Sequence, residues 1–139
     1  MQKDLDKTKY LLGIDYGEGK IGLAIADNET RMAFAYGTLL NDKDLLQNIL
    51  KIIEKEKIRT VVIGIPKRVN DKKNEYAGEK LGRAILKEGS VLVEYQDEIY
   101  STKIARENLK EKGMRNISRL DHEESARIIL DSFLQKKAL

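Results

Sequence analysis

Cysteine is absent from the 139 residues, so no disulfide framework supports the fold. Aromatic residues make up only 6%, which argues against a stacking platform of the kind that reads single-stranded bases. No apolar run approaches the length of a membrane span, and no N-terminal stretch resembles a signal peptide. No internal repeat or low-complexity tract appears. The expectation is a soluble cytoplasmic protein without a membrane partner. Neither sign of charge dominates: 26 basic residues oppose 23 acidic ones, for a net charge of +3. The overall charge is thus a faint pointer to nucleic acid, and its distribution matters more. The length fits one domain, 1–139, able to bury a core without disulfides or structural metal, with the polar residues 1–8 frayed.

What is present is organised around Tyr10 to Asp27, YLLGIDYGEGKIGLAIAD. Leu11, Leu12 and Ile14 are too few for a helix and read as a short strand buried on both faces. Gly17 and Gly19 supply a turn. The return run alternates, with Ile21, Leu23 and Ile25 on one face and Lys20, Gly22, Ala24 and Ala26 on the other, as a strand requires. The two runs form an antiparallel hairpin. Asp15 ends the first strand, where a buried carboxylate is costly unless a metal ion, an arginine or backbone donors pair with it. A plainer reading also stands at this point: a turn aspartate bonded to its own backbone.

Arg31 to Leu40 reads as a third strand, with Gly37 marking a bulge or bend. Asn41 or Asp42 then caps a helix whose apolar stripe is Leu45, Leu46, Ile49, Leu50, Ile52 and Ile53. Arg59 to Ile65 is continuously apolar after its first residues, like a central parallel strand, and Pro66 ends it. Residues 67 to 74 form a basic loop. Glu75 to Lys87 reads as a helix in which Gly78 and Gly82 allow close packing, and Val91 to Tyr95 as the next strand. Ser101 or Thr102 caps a further helix that stops at Gly113. Residues 114 to 120 read as a basic connector, and the last helix as starting near Asp121, with Ala126, Ile129, Leu130, Phe133 and Leu134 buried. Strands alternating with helices after an initial hairpin predict an α/β domain with a mixed sheet and helices on its faces.

Acidic residues then stand at comparable places: Asp15 after strand one, Glu98 after strand five, and Asp121 with His122 opening the last helix. Ligands of open α/β sheets gather outside the carboxyl ends of the strands. Carboxylates converging there repel one another unless a divalent cation lies between them, and oxygen ligands suit Mg²⁺ or Mn²⁺. Such a site suits phosphodiester hydrolysis, since two ions roughly 3.5–4 Å apart can activate a water and stabilise the leaving oxygen.

Gly13-Ile14-Asp15-Tyr16-Gly17, with Lys20-Ile21-Gly22-Leu23-Ala24 and Asp27, resembles the opening signature of the YqgF (RuvX) family. Gly64-Ile65-Pro66 is similar to that family's central motif. Asp97-Glu98 with Ser101-Thr102 and Ala105 resembles its acidic motif, and Ser125-Ala126 through Ile129-Leu130 its C-terminal helix. The four motifs fall in the family's order over nearly the whole chain. The resemblance implies a ribonuclease H-like fold, with a five-stranded mixed sheet and helices on both faces, and a metal-dependent nuclease. Family members are described as Holliday-junction resolvases and as nucleases maturing the 5′ end of pre-16S ribosomal RNA. Carried over, it makes Asp15 and Glu98 catalytic metal ligands, with Asp121 or His122 as the third.

Two departures from the family matter. Ile99 replaces the arginine of the acidic motif, and so can neither orient the neighbouring acid nor meet a phosphate. Aligning Ser125-Ala126 without a gap puts His122 at the family's aspartate and Asp121 one residue earlier. Histidine can ligate Mn²⁺ or act as acid or base near neutral pH. Asp121 with Glu124 equally fits a capping pattern, which would make Glu123 and Glu124 first-turn charges and His122 a solvated neighbour. Asp97 reads as positioning the turn.

Lys67, Arg68, Lys72 and Lys73 form the expected phosphate-contacting loop, joined by Lys20 and Lys103. Such contacts fix register on a backbone without reading bases. The substrate expectation is nucleic acid, either pre-rRNA or branched DNA, and symmetric resolution of a junction would call for a homodimer. Two other classes share features with this sequence. A sugar-kinase or actin type of phosphotransferase shares the Asp-x-Gly turn but needs a second domain and another phosphate loop. A catalytically silent nucleic-acid-binding protein is motivated by Ile99.

Overall fold

The computed structural model describes residues 10–65, 75–97 and 117–137, with side chains in the last stretch described for 122–136. In chain order the elements are β1 (Tyr10–Asp15), β2 (Lys20–Asp27), β3 (Met32–Leu40), α1 (Leu45–Lys55), β4 (Ile58–Ile65), α2 (Ala77–Glu88), β5 (Leu92–Asp97) and α3 (Ile117–Lys137). They build a five-stranded mixed sheet in the order β3-β2-β1-β4-β5. The first three strands form an antiparallel meander, whereas β4 runs parallel to both β1 and β5. The helix expected over 101–113 falls outside the described residues.

Period-two alternation sorts the strands into two apolar layers. Leu12 and Ile14 of β1, Ile21 and Leu23 of β2, and Val61 and Ile63 of β4 pack with Leu45, Ile49 and Ile53 of α1 and Leu81 and Ile85 of α2. Leu11, Ala24, Ala26 and Val62 point the other way and meet Ala126, Ile129, Leu130, Phe133 and Leu134 of α3. Helices thus cover both faces, and β1 and β4 carry apolar residues on each side because each side is a core. The two predicted faces of β2 are those observed.

Gly78 and Gly82 let α2 approach the sheet as expected: a Cβ at Gly78 would lie 3.3 Å from Ile63 Cγ2, and one at Gly82 would collide with the Tyr95 ring. The β2–β3 register slips between Leu23 and Ala24, so that Tyr36, beside Gly37, forms the bulge.

Several boundaries differ from expectation. Helix α1 is preceded by Asp44 as its cap residue, and Asp42 instead accepts a bond from the Asp44 amide at 3.0 Å. Asn41 does not cap it at all; its side chain is directed to the β1–β2 turn. Strand β5 continues to Asp97, because Gln96 and Asp97 pair with Gly64 and Ile65. Helix α3 starts at Ile117, so Asp121 does not open it, and Glu123 and Glu124 are not first-turn charges. The second half of the expected basic connector is helical. The acidic run Asp121 to Glu124 imitates a cap, but the chain is already helical one turn earlier.

Candidate active site

Asp15 closes β1 on the same face as Leu11 and Gly13, the face that α3 covers, and is only 6% exposed. Hydrogen-bonded neighbours align a row across the carboxyl end of the sheet: Thr38, Gly22, Asp15, Gly64 and Gln96. Helix α3 lies directly on this row because glycine leaves room for it. A Cβ at Gly13 would sit 2.9 Å from the Ala126 carbonyl oxygen, and one at Gly22 would overlap the His122 carbonyl. Glycine within a strand often marks such a close approach.

The consequence is a contact between Asp15 and His122. Asp15 Oδ2 lies 3.1 Å from His122 Nδ1. An ionised carboxylate only accepts, so in this arrangement the imidazole donates through Nδ1–H. The Asp15 side chain is 9% exposed and that of His122 33%, so the pair reaches from the interior towards solvent. The plainer reading of His122 as a solvated first-turn residue is therefore overturned. Gly17 flanks the ring; a Cβ there would be 3.0 Å from His122 Cε1.

Two further residues, which the sequence reading missed, support the pair from the side. Thr38 Oγ1 donates to Glu123 Oε2 at 2.8 Å, and Asn41 Nδ2 donates to the Gly17 carbonyl at 2.8 Å. The Asn41 amide also donates to the Gly19 carbonyl at 3.0 Å. The signal that could have placed α3 was the run of small residues Gly22, Ala24 and Ala26 beside Gly13. Nothing in the sequence marked Asn41 as a turn brace, since an asparagine before an apolar stripe has the form of a helix cap. At the far end of the row Gln96 Oε1 is buried without a hydrogen-bond partner among the described residues, as is Ser125 Oγ on α3.

Of the remaining expected site residues, Lys20 is exposed at the start of β2, two positions before Gly22 and on the same sheet edge as Asp15. Asp121 belongs to the α3 backbone, with its side chain outside the described set. Glu98, Lys67, Arg68, Lys72, Lys73 and Lys103 lie outside the described residues. Asp97 ends β5 and is exposed. Among the described residues no group of three or more His, Cys, Asp or Glu side chains gathers. The donor types of the pair, a carboxylate oxygen and an imidazole nitrogen, are ones that divalent cations such as Mn²⁺ accept.

The model of the RuvX family, described as Holliday junction resolvase, matches residues 9–136. The chain belongs to the RuvX family. Two relatives carry the name "Putative pre-16S rRNA nuclease". The one from Rickettsia felis is 32% identical over 130 residues, covering 89% of this chain and 84% of its own. The one from Bacteroides fragilis is 32% identical over 137 residues, covering 93% and 98%. Among solved structures, Thermus thermophilus RuvC in complex with a Holliday junction substrate superposes with a TM-score of 0.60 at 16% identity, over 93% of this chain and 96% of that one. Fowlpox virus resolvase with Holliday junction DNA gives 0.61 at 12% identity, over 94% and 99%. At those identities the likeness is one of fold, and it bears out the expected ribonuclease H-like sheet.

Proposed function

We propose that the chain is a divalent-metal-dependent nuclease that hydrolyses phosphodiester bonds in 5′-end maturation of pre-16S ribosomal RNA. The observation that carries this reading is the buried Asp15 carboxylate held 3.1 Å from His122 at the carboxyl end of β1, in a chain whose relatives bear that name. Asp15 and Glu98, with Asp121 or His122 as the third ligand, would hold the Mg²⁺ or Mn²⁺. Such a cation supplies charge neutralisation at the phosphoryl oxygens and a more acidic water. Asp15 keeps acceptor oxygens fixed in a site shielded from water. Where Asp121 is the third ligand, His122 takes or gives a proton at Nε2 while Nδ1 is engaged by Asp15. Lys20, Lys67, Arg68, Lys72, Lys73 and Lys103 contact phosphates and set the register of the strand, which makes affinity fall steeply with salt.

A second reading, resolution of four-way DNA junctions, is favoured by the description of the matching family model. It requires a homodimer that places two sites on opposed strands. The two readings separate in one assay: cleavage of a precursor 16S RNA fragment and of a four-way junction, with Mg²⁺, Mn²⁺ or chelator, by wild type and Asp15→Asn. RNA cutting that needs the cation and is lost in Asp15→Asn supports the first reading. Junction cutting with the same dependence supports the second. Binding without cleavage of either substrate rejects both and leaves a silent nucleic-acid-binding protein, with Ile99→Arg as the variant that tests whether activity returns.

A further inference from the structure

The end of β3 and the residue after it bond chain neighbours of both Asp15 and His122 without belonging to the pair. Thr38 bonds Glu123, the neighbour of His122 on α3, at 2.8 Å. Asn41 bonds the turn that follows Asp15 twice, from Nδ2 to the Gly17 carbonyl and from its amide to the Gly19 carbonyl. Gly17 in turn lies so near the imidazole that a Cβ there would stand 3.0 Å from Cε1. Asn41 is therefore linked to Asp15 by way of Gly17 and the neighbouring His122 ring.

We propose that residues 38–41 brace the site and that Asn41 is a positioning residue for the reaction, an inference that rests on the reading of Asp15 and His122 as reacting groups. The turn between β1 and β2 holds two glycines in four residues, and glycine has more backbone freedom than any other residue. Left to itself, Gly17 can move into the space of the imidazole or away from it. Asn41, anchored between β3 and α1, removes that freedom by donating to two carbonyls of the turn. Only a donor does this: aspartate has the same shape but only accepts, and would set oxygen against the Gly17 carbonyl oxygen. Thr38 fixes the other partner, because Glu123 cannot shift without α3 carrying His122 along.

His122 is the one histidine of the chain, so a single imidazole Cε1–H resonance reports the ring without assignment. The test records that resonance in the full chain without added metal, at one pH, for wild type, Asn41→Asp, Asn41→Ala and Thr38→Val. Both Asn41 variants are expected to shift or broaden the signal by more than its linewidth. With substrate they should lower kcat about 10- to 100-fold and change KM far less. An imidazole signal in the Asn41 variants that overlays the wild type overturns the proposal, whatever cleavage does. A wild type that fails to cleave defeats the nuclease reading instead and leaves the spectroscopic result standing. Should an Asn41 variant lose its amide dispersion, Thr38→Val, which removes one hydroxyl at constant shape, carries the test, with an unchanged imidazole again overturning the brace.

Discussion

His122 Nδ1 stands 3.1 Å from Asp15 Oδ2 across 107 positions of chain. The contact exists because Gly13 and Gly22 admit the backbone of α3 to the surface of β1 and β2, where any side chain would hold it off. Two strand glycines thus decide where the histidine lies, and the carboxylate at the end of β1 meets it on the only face that α3 covers.

Replacing His122 by alanine is expected to lower the rate of the chemical step about 10²- to 10⁴-fold, the range for losing a positioned acid or base. Its side chain is one-third exposed, so the melting temperature should change little beside that loss. Single-turnover cleavage with excess protein is the check. A rate within a few-fold of wild type would remove His122 from the reaction and return the role to the carboxylates.

Gly22→Ala and Gly19→Ala should behave as opposites. The first adds a methyl where the His122 carbonyl already sits, whereas a Cβ at Gly19 meets nothing within 4 Å. Overpacking of this kind costs about 1–3 kcal/mol, and relief can come only from lifting α3, so cleavage should fall together with stability. Gly19→Ala should stay within about 0.5 kcal/mol of wild type. Urea denaturation midpoints with unchanged slopes would settle the comparison; equal destabilisation by the two would contradict the close approach of α3.

The parts legible from sequence were those set by local pattern. The alternation of β2, the apolar run of β4 and the stripe of α1 each state which face is buried, and Asp15 stands out as an acid ending a core strand. The rest depended on contacts between distant segments. Asn41 carries the signature of a helix cap but bonds a turn 24 positions away. Asp121 to Glu124 carry the signature of a helix start, yet Glu123 bonds Thr38 and Glu124 pairs with Arg127 Nε at 2.6 Å. Strand β5 outran its apolar residues because its last two pairs depend on β4 and not on its own composition.

Tyr36 gives the fold a signature at alkaline pH. Its phenol donates to Glu56 Oε2 at 2.7 Å, and that bond, burial and the negative charge of Glu56 raise its pKa above the ordinary 10.0. A raised folded-state value means that the stabilisation is complete below the unfolded value and is lost as pH climbs through the folded one. Unfolding free energy should therefore decline above about pH 10, and Tyr36→Phe should flatten part of that decline. Tyr95, also raised, chiefly by burial, accounts for a second part. Denaturation curves across this range for wild type and Tyr36→Phe are the measurement, and parallel declines would dissociate the phenol from the effect.

Ser125 offers the reverse case, a polar group whose removal should help. It is 1% exposed on α3, and its hydroxyl has no hydrogen-bond partner among the described residues, so folding strips it of water without return. Ser125→Ala is expected to leave stability unchanged or to raise it by up to about 1 kcal/mol, whereas Leu130→Ala one turn and a residue further along should cost about 2–5 kcal/mol. Leu130 is fully buried against the sheet, so the two variants compare apolar and polar burial on one helix. A loss of 1 kcal/mol or more in Ser125→Ala would mean that the hydroxyl is satisfied in solution by a bound water, and would overturn this reading of the helix.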